Sequence, residues 1–589
     1  MRASQLAWLA VAAITQLSSL TIIQAQPKVA DNYLVTNLPG LSPEDAAQIK
    51  QYAGHIAIDP AQESNLFFWL VTSKQPQKNP KLVIWLNGGP GCSSADGYFL
   101  ETGPLRFVDE KLTINKGGWH EFADVVFLDQ PIGTGLSYST QGNLGSLKEV
   151  TEHFMAFLKA FYKIFPDRAQ HELYIAGESY AGTYIPYFGQ GILEHNENVP
   201  VGELSYNLQG LSIGNGWIDP LHQYTSYIPF VQKYGISTPE LLESMAKQQE
   251  ACLDEIRRQD LITQEVCEGL VLLVMQSKND STRCVNQYDI RLTDEFPDCG
   301  LHWPYELPLM KVYLNRPDVR AALHATAGNL SWEECSRRVG AALQHDDSTP
   351  SIALLPKILE KTRILLFSGQ HDLICNHIGT EYLISNMTWQ GTKGFQQDTP
   401  PVGWKVEDTP AGEWKQARNL TYVLIYNSSH MVPYDQPLAA LDMMNRFMGL
   451  DTKLQAFSSS LESDVDNTVP SGGEKIDINQ PKPSVSSNGS AALLFVMLVI
   501  GVAIFVIVRR NQRQKKLDGG HGGVQWFPLS NSNNSGRQAM GGRDRHAPID
   551  ELDELVVEGG IRDSDDDDEE YEDFMSSDDR RDSPSPQRR

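Results

Sequence analysis

Apolar residues in this chain gather into short unbroken runs separated by longer amphipathic stretches. Lys81-Leu82-Val83-Ile84-Trp85-Leu86 and Asp124-Val125-Val126-Phe127-Leu128 have strand length. Leu173 to Ala176, Leu208 to Ile213, Arg363 to Phe367 and Leu420 to Tyr426 read the same way. Runs of this kind predict strands buried on both faces rather than half-exposed ones. Leu147 to Phe165 instead repeats at helical spacing, with Phe154, Phe157, Leu158, Phe161 and Phe165 on one side, and Pro437 to Met448 predicts a final helix. Strands alternating with helices predict an α/β fold with a mostly parallel sheet covered on both faces. From Asp219 to about Pro350 the alternation fails, and five cysteines and many charges fall there. That stretch predicts an inserted cap, at about 220–350.

The two ends carry a different hydrophobic pattern. Residues 1–25 have a basic start at Arg2, interrupted apolar stretches at Leu6 to Ile14 and Leu17 to Ile23, and a small residue, Ala25, at a plausible cleavage point. They predict a secretory signal peptide. Residues 491–508 are apolar without a charge, and Arg509, Arg510, Arg513, Lys515 and Lys516 follow directly. The run predicts a transmembrane helix with a cytoplasmic C-terminus. Its shortness favours a thin secretory-pathway membrane. Residues 451–490 turn polar and read as a lumenal stalk. The tail, 509–589, is acidic and has no core-forming pattern, so it predicts disorder. Tyr571-Glu572-Asp573-Phe574 fits a tyrosine-based sorting signal for cytoplasmic adaptors, and Ser564, Ser576 and Ser577 sit beside acids as phosphorylation candidates.

The formal net charge is −25. Phosphate contact needs a basic face, so a nucleic-acid partner is excluded. Seven cysteines precede the membrane run, Cys92, Cys252, Cys267, Cys284, Cys299, Cys335 and Cys375. None forms Cys-x-x-Cys, which argues against a metal or redox site; an odd count in an oxidising compartment predicts three disulfides and one free thiol. Candidate glycan acceptors are Asn279, Asn329, Asn386, Asn419, Asn427 and Asn488.

The chemistry begins at Gly177-Glu178-Ser179-Tyr180-Ala181-Gly182, between the Leu173 to Ala176 strand and a stretch that can start a helix. Gly-x-Ser-x-Gly at a strand-to-helix turn is a nucleophile elbow and points to an α/β-hydrolase fold. A serine needs a base, and the base an orienting carboxylate, in the chain order Ser, Asp or Glu, His. Ser368-Gly369-Gln370-His371-Asp372 follows one late strand, and Asn427-Ser428-Ser429-His430-Met431-Val432-Pro433 the last. Ser179, Asp372 and His430 are therefore the candidate triad, and His371 is read as structural. The oxyanion hole needs the N–H of Tyr180 and a second donor from an earlier loop. Asn87-Gly88-Gly89-Pro90-Gly91-Cys92-Ser93-Ser94 stands there and offers Gly89; it lacks the Gly-Lys-Ser/Thr ending of a phosphate loop.

Trp85 to Ser94, Gly177 to Gly182 and His430 to Pro433 together resemble the serine carboxypeptidases. Asp129-Gln130-Pro131-Ile132-Gly133-Thr134-Gly135 and Ile213-Gly214-Asn215-Gly216 are also similar to that family's segments, and the likeness runs from about Tyr33 to Leu450. With its membrane run and acidic tail, the chain looks most like the fungal branch that trims C-terminal Lys and Arg from peptides cut after dibasic sites in the late Golgi. The resemblance implies that Asn87 and Gly88 hold the substrate's terminal carboxylate, assisted by Glu101 and Glu178 and supported by Trp85. Two glutamates cannot both stay ionised beside a carboxylate ligand, so one should hold a proton and donate. Met431 matches a position lining the leaving-residue pocket, and Cys375 a free thiol near the site. Cys92 pairs with Cys335 by the same analogy, with Cys252–Cys299 and Cys267–Cys284 nested in the cap. No cofactor or metal is implied. The chain is thus expected to be a membrane-anchored serine exopeptidase of the trans-Golgi network, acting on propeptides that end in Lys or Arg. Two other readings are a same-fold acyltransferase, using an acceptor other than water, and a non-catalytic lumenal receptor or chaperone, which predicts a damaged triad.

Overall fold

The computed structural model describes residues 29–462, apart from 60, 62, 141, 143, 260, 278–280, 330, 345, 397 and 398. An eleven-stranded sheet forms its centre. In chain order its strands are β1 (Gln51–Asp59), β2 (Ser64–Val71), β3 (Lys81–Leu86), β4 (Asp124–Leu128), β5 (Glu172–Ser179), β6 (Leu208–Gly216), β7 (Arg363–Gly369), β8 (Val402–Val406), β9 (Thr409–Ala417), β10 (Leu420–Ile425) and β11 (Ser459–Leu461). Across the sheet they lie β1-β2-β4-β3-β5-β6-β7-β10-β9-β8-β11. From β4 through β10 the neighbours are parallel, and antiparallel strands extend both edges. Unbroken apolar runs became central strands because each face has its own core. Leu82, Ile84 and Leu86 point into one, Val83 and Trp85 into the other.

Helix Leu147–Ile164 covers one face. Ser146 accepts from the Glu149 N–H, and the Glu149 carboxylate accepts from the Ser146 hydroxyl and the Gly145 N–H, so side-chain caps fix its start. Its aromatic side meets helix Ala181–Glu197, where Phe154 and Phe188 stack at 4.1 Å. The elbow lies between β5 and that helix. Glycine is required on both sides of it: a Cβ on Gly177 would stand 2.2 Å from the Leu86 carbonyl oxygen, and one on Gly182 2.8 Å from the Gly216 Cα.

Between β6 and β7 no described residue joins the central sheet. Helices Pro220–Lys233, Pro239–Arg258 and Glu265–Met275 come first, then a hairpin of Arg283–Val285 with Thr293–Glu295, then further short helices. The cap disulfides are not nested as expected. Cys252 bonds Cys267, and Cys284 bonds Cys299. Each bridge staples one local unit, the first two adjacent helices and the second the hairpin, so partners lie 15 residues apart. Cys92–Cys335 forms as expected and Cys375 is the free thiol.

The beginning of the expected stalk differs too. Residues Ser459–Leu461 pair with β8, and the Ser459 hydroxyl donates to Asp442 on helix Pro437–Phe447, so the folded unit extends past 450. The signal peptide, the remainder of the stalk, the 491–508 run, the tail, Asn279 and Asn488 lie outside the described residues. Among those described, no helix is long and apolar enough to cross a membrane. Asn386, Asn419 and Asn427 are exposed, although the Asn419 side-chain amide donates to the Leu359 carbonyl. Asn329 closes the short turn Ala327–Asn329.

Candidate active site

Three loops at the C-terminal ends of neighbouring parallel strands carry the candidate chemistry. Ser179 ends β5 with φ +59°, in the left-handed region that a non-glycine residue enters only when its surroundings demand it. Asp372 follows β7 and His430 follows β10. His430 Nδ1 lies 2.9 Å from Asp372 Oδ2, and both side chains are buried. Burial raises the Asp372 carboxyl, and the bond to His430 opposes that rise. This is the geometry that fixes an imidazole tautomer and leaves its other nitrogen for proton transfer. Asp372, Cys375 and His430 also cluster closely enough to suggest a metal. Burial lifts the Cys375 thiol well above its ordinary range. His371 is half-buried, its backbone N–H given to the Ser428 carbonyl.

The glycine loop lies directly against the elbow. A Cβ on Gly88 would stand 2.4 Å from the Tyr180 nitrogen and 2.7 Å from the Ser179 Cβ. Gly89 has φ +103°, a turn a side chain would strain. The loop is held from both sides. Asp129 accepts from the Ser93 hydroxyl, the Ser94 N–H and the Leu136 N–H, and burial still pushes its carboxyl up to about 6. From the cap, Trp332 donates to the Ser93 hydroxyl, Ser336 donates to the Gly91 carbonyl, and Cys335 bonds Cys92.

Beside the elbow is a buried polar network. Trp85 Nε1 and the Gly97 N–H both donate to Asn87 Oδ1. The Asn87 side-chain N–H₂ group then faces Glu101 at 3.0 Å and Glu178 at 3.1 Å. Both carboxyls are buried, and they hydrogen-bond each other. Burial pushes both up, Glu178 well above the usual carboxyl range because Glu101 adds like charge and a bond to its protonated form. These shifts favour a proton on the pair, most of all on Glu178, which gives it a donor for an arriving carboxylate. Met431 is buried in the His430 loop.

Two positioning groups escaped the sequence reading. Asn215, at the end of β6 with φ +38°, donates to the Ser429 and His430 carbonyls and accepts from the Gly369 N–H at 2.7 Å. It ties the histidine loop to the strand that delivers Asp372; the only sequence signal was its place in Ile213-Gly214-Asn215-Gly216. The second is the cap segment around Tyr288. The Tyr288 carbonyl accepts from the His430 N–H, its ring centroid lies 5.2 Å from the imidazole, and Gln287 accepts from the N–H groups of Leu373 and Ile374.

Residues 39–449 match the family model of the serine carboxypeptidases. The chain belongs to the serine carboxypeptidase family. This serine carboxypeptidase is 44% identical over 463 residues to a protein of Paracoccidioides brasiliensis named pheromone-processing carboxypeptidase KEX1, covering 75% of this chain and 71% of that one. A protein of the same name from Tuber melanosporum is 39% identical over 589 residues, covering 93% and 92%. Among solved structures, the prohormone-processing carboxypeptidase KEX1(DELTA)P of Saccharomyces cerevisiae aligns with a TM-score of 0.67 at 35% identity, over 72% of this chain and 97% of that chain.

Proposed function

We propose that this serine carboxypeptidase is a membrane-anchored processing enzyme of the trans-Golgi network that removes C-terminal Lys and Arg from peptides already cut after dibasic sites. The observation carrying the exopeptidase part is the buried Asn87–Glu101–Glu178 network against the elbow, which supplies donors and a proton where a terminal carboxylate would sit. The processing role is supported by the relatives' names and by their reach along most of the chain. The 491–508 run with its following arginines supports the anchor, with the catalytic side lumenal and the tail open to sorting adaptors.

In this reading the peptide's carboxylate docks on the Asn87 side chain, the Gly88 N–H and the Glu101–Glu178 pair, with Trp85 holding Asn87 in place and Met431 lining the leaving-residue pocket. Ser179 Oγ attacks the scissile carbonyl while His430 Nε2 takes its proton. The Gly89 and Tyr180 N–H groups receive the negative oxygen, each worth about 3 kcal/mol in the transition state. His430 gives the proton to the departing amino acid's nitrogen, and the acyl group stays on Ser179. Water, deprotonated by His430, then releases the shortened peptide and restores Ser179. Asp372 stabilises the imidazolium throughout.

The test is a timed digest by the purified full-length chain of two peptides, one ending Lys-Arg and one ending Phe, at mildly acidic pH. Stepwise loss of Arg and then Lys is expected. Release of Phe in preference to either keeps the exopeptidase and overturns the processing role.

A further inference from the structure

The loop of the cap hairpin, between Arg283–Val285 and Thr293–Glu295, lies across both loops that carry Asp372 and His430. Its shape is set locally. The Asn286 side chain accepts from the Tyr288 and Asp289 N–H groups and donates to Asp294 across the hairpin. Backbone contacts then reach each catalytic loop in turn. The Gln287 carbonyl accepts from Leu373 and Ile374, just after Asp372, and the Tyr288 carbonyl accepts from His430 at 2.9 Å. The Ile290 N–H donates to the His371 carbonyl at 3.1 Å.

Arg291 adds a side chain to the same junction. A guanidinium carries five N–H donors in a fixed plane, and five hydrogen bonds leave this one. Nε and Nη2 form a fork on the Asp289 carboxylate at 2.8 and 2.7 Å, which fixes the plane. Nη1 donates to the Asn427 carbonyl at 3.1 Å and to Asn427 Oδ1 at 2.8 Å, and Nη2 reaches Asp435 Oδ2 at 3.1 Å. Asn427 and Asp435 flank His430 in the chain. Asp435 Oδ2 also accepts from the Ser429 N–H at 2.6 Å. Burial raises the Asp435 carboxyl, and the Ser429 bonds and the Arg291 charge oppose that rise, keeping the acceptor on Ser429 ionised. Exposed pairs such as Arg257–Asp254 and Arg258–Glu255 join neighbours on one helix and fix no loop. Arg291 instead joins residues 136 and 144 positions away.

We propose that Arg291 is a positioning residue for His430, its planar fork locking the cap hairpin onto both flanks of the histidine loop. The inference rests on the reading of Ser179 as nucleophile and His430 as base. With the lock in place, the Tyr288 carbonyl below His430 and the Gln287 carbonyl beside Asp372 belong to one rigid segment, so the imidazole keeps its place against the carboxylate. Without it, the flanks at Asn427 and Asp435 lose their common anchor. Lysine cannot replace the fork, because an ammonium is a point charge with three rotating donors. Arg291 touches neither Asn87, Glu101 nor Glu178, so its loss should act on the chemical step rather than on peptide binding.

The test uses full-length enzyme with Arg291→Ala and Arg291→Lys, and three readouts: kcat and KM for one peptide, the rate at which a small serine-phosphonylating reagent modifies Ser179, and melting. Each variant should lose roughly 10- to 100-fold in kcat, with KM within about threefold. Phosphonylation, which needs no peptide, should slow by the same factor. Millimolar guanidinium added to Arg291→Ala should raise kcat and the phosphonylation rate together, and ammonium at the same concentration should not. A structural role alone would move melting and leave these rates, per folded molecule, unchanged. Full activity in Arg291→Lys, a loss that follows unfolding, or no response to guanidinium overturns the positioning role and leaves the Ser179–His430 reading intact. A wild type that trims peptides without ever forming the Ser179 adduct overturns that reading, and the positioning role falls with it. The Arg291 side chain is 31% exposed, so Arg291→Lys keeps the test decisive even where Arg291→Ala folds poorly.

Discussion

Glu178→Gln isolates the proton on which the proposed carboxylate clamp depends. In the wild type Glu178 lies against Glu101 and 3.1 Å from the Asn87 amide, and burial with like charge holds its proton well above the usual range. A terminal carboxylate bound there receives a charge-assisted hydrogen bond worth about 1.5–3 kcal/mol, or roughly 10- to 150-fold in affinity. Raising pH through the Glu178 pKa removes that bond and adds repulsion, so KM should climb up to about tenfold per pH unit while kcat changes little. Glutamine has nearly the same shape and donates at every pH. Glu178→Gln should therefore keep the acid-side KM within a few fold of wild type and flatten its alkaline rise. The assay is KM against pH for one peptide with a free terminus and for the same peptide amidated, by release of the last residue. An amidated peptide carries no terminal charge and should lack the rise in both enzymes. A KM profile that rises equally in Glu178→Gln and wild type would refute the shared-proton clamp.

Other substitutions test neighbouring parts of the site. Asn215→Ala removes the tie among Gly369, Ser429 and His430, and should lower kcat roughly 100-fold with KM within a few fold, since the clamp is untouched. Gly88→Ala forces a methyl against the Tyr180 nitrogen and the Ser179 Cβ, atoms that cannot swing aside; steady-state assays and melting should show peptidase activity lost and about 1–3 kcal/mol of stability with it. His120 is fully buried with both ring nitrogens unpartnered, and burial pushes its pKa down to about 3. Its stability contribution is complete above the unfolded value of 6.5 and is lost as pH falls toward 3. His120→Leu should accordingly melt progressively higher than wild type as pH drops through that window, by about 1.4 kcal/mol per pH unit at most.

The central sheet was legible because strands buried on both faces are apolar along nearly their whole length, as at residues 82–86 and 125–128. The edges were not. Thr409–Ala417 contains a proline and a glycine, and its pairing with Val402–Val406 rests on backbone bonds more than on a repeating apolar pattern. Cap disulfides were illegible for a different reason, since with Cys335 bonded to Cys92 the four remaining cysteines of the insertion allow three pairings and only the helical pair and the hairpin choose among them. Asp372 and His430 could be named because the fold puts each on a loop after a strand, and the structure brings them to 2.9 Å. Asn215 and the cap's Tyr288 act through backbone carbonyls of distant segments, and no local pattern encodes that.

Ser179 is the proposed attacking group. The most direct measurement is intact-mass and peptide-level mass spectrometry of the full-length enzyme after treatment with a serine-phosphonylating reagent, with Ser179→Ala alongside. One adduct per chain on the Ser179 peptide, formed in step with loss of C-terminal trimming and absent in Ser179→Ala, is the predicted result. Full trimming by Ser179→Ala, or inactivation accompanied by an adduct on another residue, would contradict it.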